Sequence, residues 1–367
     1  MNLGARFDLA RGKDLTLGVL MERLAAIHGD RPLVTEAESG RVRTFRQAAA
    51  DVDRWAGAIH ALTEPGDRVV LATGNTYDQF LLVLAVARAG RLPAPVNSQM
   101  APAEIEHVIQ DSGASLVLAS AEELDVDTPL GRAEPAAPGD IAALFYTSGT
   151  TGKPKGAELT HRGLFGGMPL TSLIPRRTHR DELVAALPVA HIYGFTLVIG
   201  AACAGMPVYF LQKFNPVKVL DAIETRRTSI FAGVPAMYRM LMEAGAEARD
   251  LSCVRMWISG ADAMPQELSQ QFKKLGASVR LPVVGSVGEA TFAEGYGMVE
   301  TGGGVAMRSS PPLVSGGLGG SMGLPLPGNK FKVVDPDGNE VPVGSVGELL
   351  LSGPSILKGY HGSPEAS

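Results

Sequence analysis

The run from Tyr146 to Gly156, YTSGTTGKPKG, holds the densest chemistry in the sequence. Hydroxyl side chains and glycines alternate directly after the apolar stretch IAALF, and Lys153 and Lys155 follow. Glycines let backbone amides turn toward an anion, hydroxyls add donors, and ammonium groups add positive charge. That combination suits phosphate; a flexible Ser/Gly loop is the bland alternative. A GxxxxGK[ST] nucleotide loop does not fit, because Ser148 stands where the first glycine belongs and Pro154 where the hydroxyl belongs. No GxGxxG occurs, and the glycines of 316–323 have the wrong offsets for dinucleotide binding. Outside this run, Glu300 reads by itself as a solvated loop acid. Tyr296, set between glycines, reads as a packing residue, and His191 as a satisfied core histidine.

Those residues need a framework. At roughly 100–200 residues per domain, 367 residues make two or three domains or one large multi-part domain. Hydrophobic residues at 45% and charged residues at 19% allow a large core and exclude wholesale disorder. A net charge of −5 leaves no broad basic footprint, and 6% aromatics offers little base-stacking surface, so nucleic acid is not an expected partner. Cys203 and Cys253 form no CxxC and read as free thiols in a reducing compartment. The first twenty residues lack a continuous apolar stretch and a small-residue cleavage site, so no secretory signal is visible. Leu183 to Leu211 lacks Asp, Glu, Lys and Arg, but Pro188, Gly194, Gly200, Gly205 and Pro207 interrupt it. A buried strand, a loop, a small-residue helix and a second buried strand fit it better than a membrane span.

Strand and helix patterns alternate through the first 120 residues, in the manner of parallel βαβ units. Thr44 is placed to cap a helix over 45–62, RVVLAT reads as a strand, a helix over 77–90 ends at Gly90, and Pro102 starts another helix. Residues 121–139 break the rhythm and read as a surface connection. A second α/β region has expected strands near 183–188, 207–211, 229–233, 254–259 and 279–284, with helices near 216–226, 235–244 and 265–275. After a Gly/Pro-rich stretch, KFKVVD and VGELLLSG read as short antiparallel strands around a DPDGNE turn. The expected fold class is α/β: two mostly parallel α/β subdomains, 1–139 and 140–328, then a small β-rich subdomain, 329–367.

YTSGTTGKPKG resembles the signature of the adenylate-forming (AMP-binding) superfamily of acyl-CoA synthetases, peptide-synthetase adenylation domains and luciferases. LPVAHIYGF (187–195), ISGADAMP (258–265), EGYGMVETG (294–302), GSMGLPLPG (320–328) and VGELLLSGPSILKGYHGSPEAS (346–367) are similar to further motifs of that superfamily, in its order. The resemblance covers nearly the whole chain. It implies the large N-terminal domain of a fatty-acid-CoA ligase type, which activates a carboxylic acid with ATP and transfers the acyl group to CoA. Thr147, Ser148, Gly149, Thr150, Thr151 and Lys155 would cradle the phosphates. Glu300 would hold Mg2+. Gly260, Ala261 and Asp262, with Gly295, Tyr296, Gly297 and Met298, would form the adenine slot. His191 would act at the carboxylate or gate the acyl pocket, and Lys155, His191 and Glu300 form the expected catalytic set.

Two departures stand out. The superfamily usually has Thr directly before the metal-binding Glu, where its hydroxyl reaches the α-phosphate; here that residue is Val299. Losing one donor at developing charge costs on the order of 3 kcal/mol. The ribose-binding Asp, the hinge and the small C-terminal domain with its catalytic Lys are not among these 367 residues. By resemblance, this piece alone would fold, bind nucleotide weakly and make little thioester.

The segments 191–206 and 283–297 would wall the acyl pocket. They carry no Lys or Arg, which suits an apolar, medium- or long-chain or bulky acid better than a dicarboxylate. Asp262 keeps an amino-acid substrate open. Two alternatives also stand: an acyl-AMP ligase that loads an acyl carrier protein, and a non-catalytic nucleotide-binding domain. The resemblance implies a cytoplasmic enzyme, with peripheral membrane attachment as a variant.

Overall fold

A computed structural model describes residues 3–97, 99–124, 128–147, 153–174, 181–281, 285–312 and 321–366. Its frame is a nine-stranded sheet. Six strands run parallel side by side: Thr291–Met298, Met256–Gly260, Ile230–Gly233, Leu183–Ala185, Val208–Phe210 and Pro32–Glu36. Antiparallel strands extend both edges, Val42–Thr44 on one side, Gly303–Ser310 and Leu324–Pro325 on the other. A separate parallel sheet of three strands comprises Leu92–Pro95, Arg68–Leu71 and Leu116–Leu118. Ile141–Thr147 and Lys155–Thr160 pair as an antiparallel hairpin, as do Lys330–Val334 and Glu348–Ser352. The α/β class follows the sequence pattern.

Local signals placed several elements well. The helix Phe45–Leu62 begins at Thr44, whose hydroxyl accepts from Gln47 N while Gln47 accepts from Thr44 N. This reciprocal cap satisfies two of the helix's orphan donors. The uncharged stretch is two parallel strands around the helix Ile192–Ala204, as its punctuation implied.

The main sheet and the core both reach across residue 139, the boundary expected between the two α/β subdomains. Pro32–Glu36 and Val42–Thr44 belong to the nine-stranded sheet. One core also joins Leu17–His28, Phe45–Leu62 and Tyr77–Arg88 to Ile192–Ala204, where Phe195 packs 5.4 Å from Phe80 and 5.2 Å from Phe145. An apolar run declares that it will be buried, not against which partner. The strand expected at 279–284 is corrected. Val279–Leu281 pairs antiparallel with Gly285–Val287, and Thr291–Met298 takes the place beside Met256–Gly260. No helix among the described residues is long and apolar enough to cross a membrane.

Two buried histidines give the fold a defined acid response. Burial, with Arg31 and Arg6 nearby, pushes His28 down to about 4; burial, partly offset by Asp140, does the same for His161. His161 stays neutral while its Nδ1 accepts from Leu17 N at 3.1 Å. An unfolded imidazole titrates near pH 6.5, so between about 4 and 6.5 the unfolded chain binds more protons. Stability is therefore full above pH 6.5 and falls as the pH drops toward 4. Urea midpoints measured across this window should fall steadily. His28→Leu should flatten the slope by about one proton's worth, roughly 1.4 kcal/mol per pH unit. An unchanged slope would show that His28 is not buried neutral.

Candidate active site

The residues singled out in the sequence converge on a cleft of about 1630 Å³. It opens at the carboxyl ends of the parallel strands, the edge where α/β sheets leave room for ligands. Thr147, Lys155, His191, Gly260, Ala261, Gly295, Tyr296, Gly297, Met298 and Glu300 all line it. Ser148, Gly149, Thr150 and Thr151 lie outside the described residues. Asp262 is not part of the wall; its side chain is exposed and accepts from Ala263 N at 2.7 Å.

The phosphate-type loop is a hairpin tip, not a strand-to-helix turn. Thr147 and Lys155 form its last cross-strand pair. Among the described residues the strand after the loop, Lys155–Thr160, leads into a helix only at His161. The helix Pro102–Ser112 buttresses the hairpin at two points one turn apart. His107 Nε2 lies 2.9 Å from the Pro154 carbonyl, and Tyr146 donates to Asp111 at 2.9 Å. Neither contact was foreseen, because residues 47 and 35 positions apart share no local pattern.

Gly260 and Gly295 sit opposite each other in the parallel register. A Cβ on Gly295 would meet nothing within 4 Å, so the missing side chain leaves open space beside Tyr296. Ala261 follows with φ +66, a left-handed conformation that costs a non-glycine residue free energy. Gly297 is required for another reason: a Cβ there would lie 2.0 Å from the Gly303 carbonyl oxygen.

His191 caps the helix Ile192–Ala204, its Nδ1 accepting from Tyr193 N at 3.2 Å, which leaves Nε2 as the donor of the neutral ring. The ring is exposed to the cleft yet sits deep in the molecular envelope, and this burial lowers its pKa. Beyond it the cleft runs along the sheet past Gly200, Ala201, Ala204, Met206, Ile230 and Met256. Asp181 and Arg255 also line the wall and form an ion pair with each other. The pocket segments foreseen in the sequence did not include this cation.

Glu300 occupies a short 3-10 turn, Val299–Thr301. Its carboxylate accepts from the Tyr360 hydroxyl at 2.8 Å. Burial, reinforced by Glu300, pushes Tyr360 up to about 12, so it remains a donor at neutral pH. Lys155 Nζ lies over the Tyr360 ring, 5.4 Å from its centroid. Tyr360 was not singled out in the sequence as a site residue. Val299 lines the cleft without a donor. Thr301 does not replace it, because its hydroxyl accepts from Met298 N at 3.0 Å and donates to the Gly303 carbonyl at 2.7 Å.

The profile of the AMP-binding enzyme family matches residues 21–134 and 120–361. A feruloyl-CoA synthase from Amycolatopsis is 30% identical over 352 residues, covering 89% of this chain and 68% of its own length. The fatty acid–acyl-carrier-protein ligase ScoC from Streptomyces coeruleorubidus is 29% identical, with 89% and 67% covered. Among solved structures, a putative long-chain-fatty-acid CoA ligase from Rhodopseudomonas palustris superposes with a TM-score of 0.81 at 25% identity, covering 96% of this chain and 92% of that one.

Lys155 ends a hairpin strand and forms no ion pair with any described residue, so little of the fold depends on its charge. Lys155→Ala should weaken ATP binding about tenfold or more in titration calorimetry, with Tm within about 2 °C of the parent. Equal losses of stability and affinity would make Lys155 structural.

Proposed function

This chain belongs to the AMP-binding enzyme family as an AMP-forming acid–thiol ligase, and we propose that it joins an apolar carboxylic acid to CoA through an acyl-adenylate. One observation supports the reading: Lys155, Tyr296, Glu300 and His191 line a single cleft whose wall also carries a run of apolar residues along the sheet.

In the proposed sequence, a carboxylate oxygen attacks the α-phosphorus of ATP and the bond to the β-phosphate oxygen breaks. Pyrophosphate leaves and the acyl-adenylate stays. The thiol sulfur of CoA then attacks the acyl carbon, loses its proton and displaces AMP. Carboxylate and triphosphate repel each other, so donors fixed in advance must absorb the charge. Lys155 and Thr147, with Ser148, Gly149, Thr150 and Thr151 of the intervening loop, would hold the β- and γ-phosphates. Gly260, Ala261, Gly295, Gly297 and Met298 would bound the adenine, with Tyr296 stacked against its face. His191, with Nε2–H free, would orient the attacking carboxylate.

Glu300 fits a hard divalent cation. It is a carboxylate on the cleft wall whose side chain is held by a neutral hydroxyl rather than a cation. Among the described residues no three His, Cys, Asp or Glu side chains cluster. A metal at Glu300 would complete its shell with phosphate oxygens and water, the habit of Mg2+. When bound, Mg2+ would neutralise phosphate charge.

The channel supports a medium- or long-chain, or bulky apolar, acid. Arg255 is matched by Asp181, so the wall holds no net charge there for a second carboxylate. Asp262, the acid that would pair an amino-acid ammonium group, lies outside the wall. Feruloyl-CoA synthase and ScoC, by their names, act on an aryl acid and on fatty acids. ScoC also favours a carrier-protein thiol as the second acceptor to test.

Acid-dependent exchange of pyrophosphate into ATP tests this reading. Fatty and cinnamic-type acids should drive exchange above background, and succinate or alanine should not. A preference for succinate or alanine would overturn the apolar assignment, and ATP binding without any exchange would favour a non-catalytic domain. Thioester formation with CoA against a holo carrier protein identifies the acceptor. Val299→Thr should raise the exchange rate severalfold, and at most about a hundredfold, by restoring a donor beside Glu300. An unchanged rate would show that another group already supplies it.

A further inference from the structure

Lys155 and Glu300 present opposite charges to the same mouth, yet they do not pair. Left alone in a partly desolvated cleft, an ammonium and a carboxylate attract strongly, and a direct pair would neutralise the groups that ATP and its metal require. One side chain touches both. Tyr360 donates its hydroxyl to Glu300 at 2.8 Å and lays its ring beneath Lys155, 5.4 Å from Nζ to centroid. We propose that Tyr360 is a positioning residue that holds Glu300 and Lys155 apart and aims each at its own part of the metal–nucleotide ligand.

The backbone around Tyr360 is built to keep it there. Residues 357–361 run beside the second strand of the phosphate hairpin. Lys358 N donates to the Glu158 carbonyl at 2.9 Å, Glu158 N to the Gly359 carbonyl at 2.9 Å, and His361 N to the Gly156 carbonyl at 2.8 Å. Leu357 N donates to the Glu300 carbonyl at 2.8 Å, which ties the same segment to the acid's own turn. Glu158 and His361 add a side-chain contact at 2.9 Å. Tyr360 is thus pinned on both sides before it reaches either charge. A hydroxyl donor suits the carboxylate because it fixes one oxygen while adding no charge that would repel a cation. The ring face suits the ammonium because the attraction is too weak to retain it against a phosphate.

This inference rests on the ATP-binding reading of the site, and its test separates the two. The 367-residue chain and its Tyr360→Phe and Tyr360→Leu variants are titrated with ATP, with and without Mg2+, by calorimetry, and with Mn2+ by electron paramagnetic resonance. Tyr360→Phe keeps the ring and loses the hydroxyl. It should bind metal-free ATP as the parent does, while the metal concentration for half-maximal effect rises about tenfold. Tyr360→Leu loses both contacts, and its metal-free ATP affinity should fall as well. Glu300→Gln placed on Tyr360→Leu should restore that metal-free affinity by removing the competing carboxylate. A purely structural role would lower Tm and weaken all ligands alike in both variants. That result, or variants matching the parent in every titration, overturns the proposal. A parent chain that binds no ATP overturns the nucleotide reading itself.

Discussion

The site depends on a crossing of three segments that are far apart in the chain. A Cβ on Gly302 would lie 2.8 Å from the Gly163 carbonyl oxygen and 3.0 Å from that of Ser355. Gly302 also has φ +62, so glycine serves both the turn and the contact. Through this point the Glu300 turn abuts the start of the helix after the phosphate hairpin and the 355–361 segment. Each brings one chemical group: Glu300 from the turn, Lys155 from the hairpin, Tyr360 from the late segment. Backbone packing therefore fixes where each side chain starts, and the Tyr360 contacts then set where the charged ends rest. Preorganisation of this kind is what stabilises a charged transition state without reorganisation at the moment of reaction.

The large sheet supplies the other half of the arrangement. The strand Met256–Gly260 ends on Gly260, which stands in register with Gly295, so two neighbouring positions lack a side chain where a flat ligand would enter. The antiparallel return through Gly303–Ser310 then turns the chain back beneath the mouth. Thr301 spends its hydroxyl closing that return, through Met298 N and the Gly303 carbonyl. The turn is thus held from inside, and Val299 can face the cleft without a structural duty to its hydroxyl neighbour.

Much of this was legible in the sequence where the signal is local. The Thr44 cap, the helix over 45–62 and the strand–helix–strand in the uncharged stretch lie in short windows whose chemistry reads directly, whereas Lys155, His191, Tyr296 and Glu300, which line one cleft, were singled out as a set only through the motif resemblance. What was not legible is long-range pairing. Val34 pairs with Val208 across the expected boundary, and no pattern in either strand announces the other. The apolar residues at 279–284 looked like a core strand because periodicity measures burial, not sheet membership. Tyr360 lies 60 residues from its acid, and Arg255 reaches the channel from outside the expected pocket segments. A motif names the groups; only the fold says which of them meet.

The composition of the helix Ile192–Ala204 shows how one element can serve both core and channel. A helix buried on most sides is usually filled with large aliphatic residues, which leave no voids. This one places Phe195, Val198 and Ile199 in the core, while Gly200, Ala201 and Ala204 line the cleft. Tyr193 and Leu197 line the cleft nearer the start of the helix, and the small residues widen it toward the helix end. The opposite demand acts at Gly200, where a Cβ would come within 2.9 Å of Met168 Sδ. Met is flexible and adapts to irregular gaps, so the contact that bounds the groove there is a yielding one. Length is limited differently, by the strands themselves. From Gly260 back to Arg255 is five residues of extended chain, about 17 Å at 3.3 Å each. Over that span the cleft passes apolar residues and reaches the Asp181–Arg255 pair, a length that, under the proposed function, an extended apolar tail would fill with its carboxyl toward Lys155 and Glu300.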